Sequence, residues 1–487
     1  MIKIIYADIA RGAAEDAQYR AQMQAYADAD RLSTGAAPRL IATGETDRWK
    51  LDGSVDILSY APTDYGYISA EQSDSSGDYG AGVGIDILFS SHFASSGLTI
   101  TFDPTEDVYY TFAVAWYNGE TLLREERYTS DAVEYVAEGA VNLYDKICIR
   151  FEASSKPYRF ARIAHIVFGV GRQFLPSDFT AVTLVQEAHP ISAELAIDTS
   201  AFTLRPRKNI QYIFQTRQSF KILRGDTVIA SHYLKEATLT SQNNYSVSCQ
   251  SAIGILEEHP FAAHIYFNQT AAAIAADIIG DIFGYTMDAA LQSITLSGYI
   301  PDGNRRDALH HLLFAIGAVC STSESESIRI FAPPAAAKQI PNGNIYTGAS
   351  VKQNPTVTKV RLAYHSYSTS GSGESVEVNG ATYYDTVGWV EKVNPDVVAG
   401  TPDNPVEIKD ATLVTQARAT ALIDAVYDYY VSNSELTQKI IITNENVGDK
   451  VDTEDILGNA FSGVVTKREA AITNLFAATL TVRGANV

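Results

Sequence analysis

Along most of the chain, short runs of alternating apolar and polar residues are broken by Gly, Ser, Asp and Pro, a period-two pattern that specifies strands with one buried face. From Arg39 the runs are Val55–Ser59, Gly84–Phe89, Gly97–Phe102, Tyr109–Tyr117, Thr121–Tyr128, Ala132–Tyr135, Lys146–Phe151 and Arg162–Gly169. This series, with turn residues between its members, predicts an antiparallel β-sandwich. Asn118-Gly119 joins two of the runs as a two-residue hairpin, because both turn positions need a positive φ that Asn and Gly tolerate. Ahead of the series, Ile2–Tyr6 predicts a short strand and Ala13–Asp30 an exposed helix or arm.

After Pro176 the β pattern resumes. Ala181–His189, Glu194–Ile197, Gln211–Thr216, Phe220–Leu223, Thr227–Leu234 and Ser246–Gln250 predict strands, and Ser251–Glu257 a short helix. Arg224-Gly225-Asp226 is spelled like an adhesion tripeptide, but its place between two strand runs predicts a hairpin turn. The period then changes to that of a helix. Thr270 can cap a helix whose apolar face is Ile274, Ile278 and Ile282, with Gly284 to stop it. Leu291–Ile300 predicts a strand. Asn304, with Asp307 three residues on, predicts a capped second helix with Ala308, Leu309, Leu312, Leu313 and Ile316 inward and Gly317 at its end. Val319–Thr322 and Ser327–Phe331 predict a hairpin. Farther on, Val357–Tyr367 predicts a strand, 410–432 a long helix, and Leu436–Thr443, Phe461–Lys467 and Leu475–Arg483 a strand-rich end.

Composition narrows the functional classes. The net charge is −20 over 487 residues, against the basic face that binds nucleic acid or anionic membranes. The 3 cysteines, Cys148, Cys249 and Cys320, lie far apart without CxxC spacing, so neither a disulfide framework nor a zinc knuckle is expected. The N-terminus lacks a basic segment followed by an apolar one, and no apolar run approaches membrane-spanning length, so the expectation is a soluble chain folded in a reducing cytoplasm.

Candidate chemistry is sparse. Gly80-Ala-Gly82-Val-Gly84 is spelled like a phosphate loop but precedes a strand run, so the helix N-terminus that holds phosphate is not expected. His310 and His311 are adjacent on a predicted helix and point about 100° apart, unlike two ligands of one metal. Asp103, Glu106 and Asp107 crowd one turn, whereas a glycosidase needs carboxylates facing each other across a cleft. No nucleophile elbow or metal-ligand spacing occurs. The expectation is a non-enzyme without cofactor or metal. One binding constellation stands out: Tyr60, Tyr65, Tyr67 and Tyr79, in loops at the sandwich rim, as an aromatic platform for glycan or protein.

Two stretches resemble known families. The segments ATGETDRWKLDGS (Ala42–Ser54), GIDILFSSHFASSGLTITFDP (Gly84–Pro104) and ICIRFEASSKPYRFARIAHIVFG (Ile147–Gly169) resemble the discoidin-like jelly-roll found near the N-terminus of some phage tail proteins. The order SAIGILEEHPF, AIAADIIGDIFG, the Leu296–Leu309 signature LSGYIPDGNRRDAL, the Ala315–Ala318 tetrapeptide and Val447–Val451 resembles the baseplate or tail-tip hub proteins of tailed bacteriophages. The resemblance implies a mainly-β chain with a small α/β part: an arm at 1–37, a jelly-roll sandwich at 38–174, and hub-type β-barrels at 175–265 and 336–487. An α/β domain at 266–335 would join the barrels, and the long helix 410–432 would fall in the second.

It further implies a homotrimeric ring that adapts a sixfold tail tube to a threefold tip. Its neighbours would be the distal-tail or tail-tube ring, the tape-measure protein and tip spike or fibre proteins. DNA would pass through the channel without specific binding, past a wall made repellent by the acidic charge. The virion tail tip would be its location. The alternative expectation is an adhesion protein binding host cell-surface glycans through the sandwich.

Overall fold

The computed structural model describes residues 2–22, 32, 41–46, 48–49, 52, 56–57, 66–105, 107–180, 182–189, 191, 195–205, 212–240, 244–323, 325–472 and 477–486. The fold is mainly β, with several sheets and a few helices. It divides into two compact units. One holds Ile5–Gln173 with Arg207–Gln218; the other holds Met1–Ile4, Phe174–Pro206 and Ser219–Val487.

In the Ile5–Gln173 unit the strands Tyr67–Gln72, Phe160–Val167, Gly84–Phe102, Glu134–Ser154, Tyr110–Asn118 and Thr121–Thr129 lie side by side in that order, all antiparallel. Two of these strands are far longer than the alternation predicts. Gly84–Phe89 and Gly97–Phe102 belong to one 19-residue strand, and Lys146–Phe151 with Glu134 and Tyr135 of the Ala132–Tyr135 run fall along one of 21 residues. The polar stretch Ser90–Ser96 breaks the apolar rhythm but not the strand. Register shifts between Leu88 and Gly97 absorb it as bulges, which bend the strand and keep pairing on both sides. The two halves of each long strand therefore face the same core: Ile85 and Ile87 join Leu98, Ile100 and Phe102, and Ala137 joins Ile147 and Ile149. Tyr110 packs edge-on against Phe151 at 5.2 Å within it.

The expected helix over 13–30 is reduced to one turn, α1 (Ala13–Asp16). The strand Gln18–Ala21 follows and pairs with Ile85–Leu88, its Tyr19 and Ala21 packing on the core. Residues 23–30 lie outside the described residues. The Asp16 carboxylate accepts the backbone N–H groups of Ser90 (2.9 Å) and Ser91 (3.0 Å), tying the turn to the bulged stretch.

The second unit is built on one extended sheet. In order its strands are Ser219–Arg224, Thr227–Leu239, Tyr245–Gln250, Thr199–Leu204, Val182–Glu187, Ala460–Ile472, Ala477–Asn486, Ser434–Ile441 and Ser350–Gln353, with Lys450–Glu454 hydrogen-bonded to Ala460–Val464. The expected strands at Glu194–Ile197 and Gln211–Thr216 are not strands over their described residues; Thr199–Leu204 takes that place in the ladder. Gly225, at φ 61°, turns the hairpin formed by Arg224-Gly225-Asp226.

Helices α2 (Ala252–Glu257), α3 (Ala271–Ile279), α4 (Ala289–Gln292) and α5 (Arg305–Ile316) gather beside this sheet. The Thr270 hydroxyl accepts the Ala273 N–H, and the Asn304 side chain accepts the Asp307 N–H, each satisfying one of the free donors that begin a helix. Gly317 closes α5 in the left-handed conformation at φ 66°. Helix α3 stops at Gly280, earlier than Gly284, and the predicted strand from Leu291 begins only at Thr295, because Asp288–Gln292 coils into α4.

The long helix is α6 (Gln416–Val431), shorter than 410–432 because Thr415 caps it through the Arg418 N–H. It lies on a separate sheet of Lys359–Ser368 and Ala381–Val393, flanked by Ser375–Val378 and Pro405–Ile408. Leu422 and Val426 of α6 share one core with Val360, Leu362, Ile274, Leu309 and Leu313. The α/β core thus takes in 357–431 as well as 252–330. Of 336–487, Ser350–Gln353 and the strands after α6 belong to the extended sheet.

Candidate functional site

The two β parts of the second unit meet along one strand pair. Val182–Glu187 runs antiparallel to Lys467–Ile472, with Gln186 opposite Arg468. In the strand Ala460–Ile472, Thr466, Arg468, Ala470 and Ile472 all face inward, so a guanidinium sits at a core position, 3% exposed. Arg468 Nε donates to Gln186 Oε1 (2.9 Å), and Nη1 donates to the Glu445 carbonyl (2.6 Å) and to Asn446 Oδ1 (2.9 Å). Gln186 donates onward to Ser323 Oγ at 2.6 Å, so three chain segments hang on one side chain. Every hydrogen-bond acceptor of Arg468 is a neutral oxygen. Burial pulls its pKa below the ordinary arginine value, opposed by Asp198, Asp449 and Glu445 nearby.

Asp198 is the titratable group of this seam. It is buried, and its Oδ1 accepts the Glu187 N–H at 3.0 Å. Burial pushes its pKa up to about 7, against the pull of that hydrogen bond and of Arg468. Close by, His232 is fully buried with Nδ1 2.9 Å from Ser200 Oγ, and burial lowers its pKa to about 4. The imidazole has no route to substrate, so the Ser–His pair is a core hydrogen bond.

Among the described residues, those singled out in the sequence are tied into the core or into ion pairs, and Tyr67 and Tyr79 meet on one buried ring. Tyr67 is 2% exposed and stacks on Phe151 at 6.2 Å. Tyr79 is half-buried, edge-on to the same Phe151 at 6.1 Å. Apolar burial raises the pKa of both phenols, Tyr67 to about 12. Neither ring offers an open face to a sugar; Tyr60 and Tyr65 lie outside the described residues. Asp103 is buried and paired with Arg162 (3.5 Å) and Arg48 (3.6 Å), Asp107 is exposed beside Lys156, and Glu106 lies outside the described residues. Gly84 opens a strand, not a helix. His310 and His311 are ring neighbours at 6.2 Å, and burial lowers the His311 pKa to about 4. Among the described residues, no cluster of His, Cys, Asp and Glu could hold a metal ion.

The seam was missed because the alternation changes phase within the strand. Phe461, Gly463 and Val465 face inward on odd positions, and the bulge between Val465 and Lys467 turns Arg468, Ala470 and Ile472 inward instead.

No family model and no curated protein matches the chain. Several solved structures are similar to it. The 43 kDa tail protein of prophage MuSo2 from Shewanella oneidensis is 12% identical at TM-score 0.44, covering 64% of this chain and 95% of its own. The prophage tail protein gp18 from Listeria monocytogenes EGD-e, also 12% identical at 0.44, covers 64% and 91%. The tail protein from Neisseria meningitidis MC58 is 12% identical at 0.44 and covers 64% and 93%.

Proposed function

We propose that the chain is a structural subunit of a phage-type tail, acting as the hub of its baseplate or tip. One observation carries the reading. Two sets of antiparallel strands, 182–250 and 434–486, far apart in sequence, merge edge to edge into one sheet through Val182–Glu187 and Lys467–Ile472. A shared α/β core occupies the chain between them. Such a frame fixes two β modules rigidly to each other, as a ring-building subunit requires and a catalyst does not.

In this role, three copies form a ring whose β modules continue a sixfold tube, and the acidic chain keeps DNA off the channel wall. Neighbours would be the tail-tube end, the tape-measure protein and the tip. Negative-stain microscopy of the purified protein tests this: rings with a central opening are expected, and isolated monomers at micromolar concentration would refute it.

A further inference from the structure

The strand Ala460–Ile472 has a projecting turn at one end and borders a cleft near the other. The turn is Glu454–Asn459. Asp455 Oδ1 accepts the N–H groups of Leu457 (2.8 Å) and Asn459 (2.9 Å), and its Oδ2 accepts the side-chain amides of Asn459 (3.0 Å) and Asn486 (3.3 Å). The Asp455 N–H closes the turn on the Asn459 carbonyl at 2.9 Å, and Gly458 takes φ 82°. None of these bonds uses the side chains of Ile456 or Leu457, which stand 57% and 79% exposed. Two adjacent aliphatic side chains on a rigid acidic turn form a ready-made anchor.

The cleft, about 410 Å³, lies between the hairpin Arg224–Ile229 and the loop Ile442–Asn446, with Arg468 on its wall. Val228, Ile229 and Ile442 give it apolar surface; Arg224 and Arg468 give it two cations, and among the described residues no carboxylate lines it. Arg224 is held at the mouth by donating from Nη1 to the Ile442 carbonyl at 3.4 Å. Arg468 contributes a buried charge that Asp198, Asp449 and Glu445 oppose from outside the lining. The charged residues that line the cleft are cations, in a chain of net charge −20. The comparably large cleft beside α5 has the opposite character, with Asp302, Asp307, Glu407 and Asp410 around Lys409, and would repel an acidic turn.

We propose that the Glu454–Asn459 turn of one copy of the chain seats in the Arg224–Arg468 cleft of a second copy. Ile456 and Leu457 bury against Val228, Ile229 and Ile442, and the Glu454 carboxylate meets Arg224. Turn and cleft are eight residues apart along one strand, roughly 26 Å at the rise of an extended chain, so neither can satisfy the other within a molecule. The contact joins unlike patches, so it is head-to-tail and repeats until a ring closes. It rests on the assembly reading and adds the residues that make the joint.

The test uses two full-length variants, Leu457→Cys and Thr227→Cys, mixed and mildly oxidised. Both sites are exposed, so folding is unaffected; circular dichroism verifies it. The mixture should give a disulfide-linked dimer on non-reducing gels and neither variant alone should. Leu457→Asp and Arg224→Glu should each weaken self-association roughly ten-fold or more, the scale of a lost anchor. Glu454→Arg should restore association to the Arg224→Glu chain. An oligomer that neither cross-links in the mixture nor responds to these substitutions overturns this contact and leaves the assembly reading standing. A chain that stays monomeric at every concentration overturns both.

Discussion

Two buried arginines, one in each unit, show two ways of keeping a guanidinium inside a β structure. Arg162, 1% exposed, is enclosed by carboxylates: it pairs with Glu45 and lies 3.5 Å from Asp103, which Arg48 also reaches at 3.6 Å. Glu45 in turn accepts the Phe160 N–H at 2.8 Å, so the network is locked to the backbone. Arg468, 3% exposed, is held by an amide oxygen, a carbonyl and a second amide oxygen. The first arrangement neutralises its charge on the spot and belongs to a self-contained core. The second sits at the wall of a cleft, with Asp198, Asp449 and Glu445 nearby rather than paired to it. The difference teaches where each unit directs its polar groups: the Ile5–Gln173 unit inward, the seam toward a cleft.

The comparison breaks most directly at Arg162. Arg162→Met should cost about 3–5 kcal/mol, because it strands Glu45 as a buried carboxylate and leaves Asp103 to Arg48 alone. Urea unfolding followed by tryptophan fluorescence measures it, since Trp116 sits in that core. Next comes Asp198→Asn. The folded pKa of about 7 lies above the ordinary 3.8, so the folded state holds a proton that the unfolded chain releases. The contribution of this group to stability is complete below about pH 4 and falls as pH rises to about 7. Asp198→Asn removes that slope, and it should raise stability at pH 8 by an amount on the order of 2–4 kcal/mol. Unfolding midpoints at pH 5 and pH 8 check this, and an unchanged difference between them contradicts it.

Arg468→Met should cost about 1–3 kcal/mol, less than Arg162→Met, because its direct hydrogen-bond acceptors are neutral and Asp198, Asp449 and Glu445 are neighbours rather than ion-pair partners. If the two substitutions cost the same, the contrast between the regions fails. The smallest effect serves as a ruler: Asn304→Ala removes the cap of α5 and should cost about 1 kcal/mol in the same unfolding assay.

Much of the fold was legible because local chemistry and tertiary structure agree. Thr270, Asn304 and Gly317 act where their side chains and backbone freedom say they should. Disagreement arises where neighbours overrule the local pattern. Ser90–Ser96 reads as a break, yet bulges carry the strand through it. Gln18–Ala21 reads as helix, yet an open position beside Ile85–Leu88 draws it into the sheet. Ala381–Val393 was not foreseen as a strand because its outward face keeps Val387, Trp389 and Val393 exposed and so hides the alternation. The placement of the tyrosines was not legible for a related reason: composition shows how many tyrosines a loop carries, but not that Tyr67 turns onto Phe151. The seam depends on the pairing of Gln186 with Arg468, which are 282 residues apart, and no local window contains both.

Sedimentation equilibrium on the purified full-length chain tests the hub reading most directly. The account predicts a species of three times the 52.9 kDa chain mass that dissociates as salt is raised and when Leu457 is replaced by Asp. A single 52.9 kDa species at all concentrations and salt levels would contradict it.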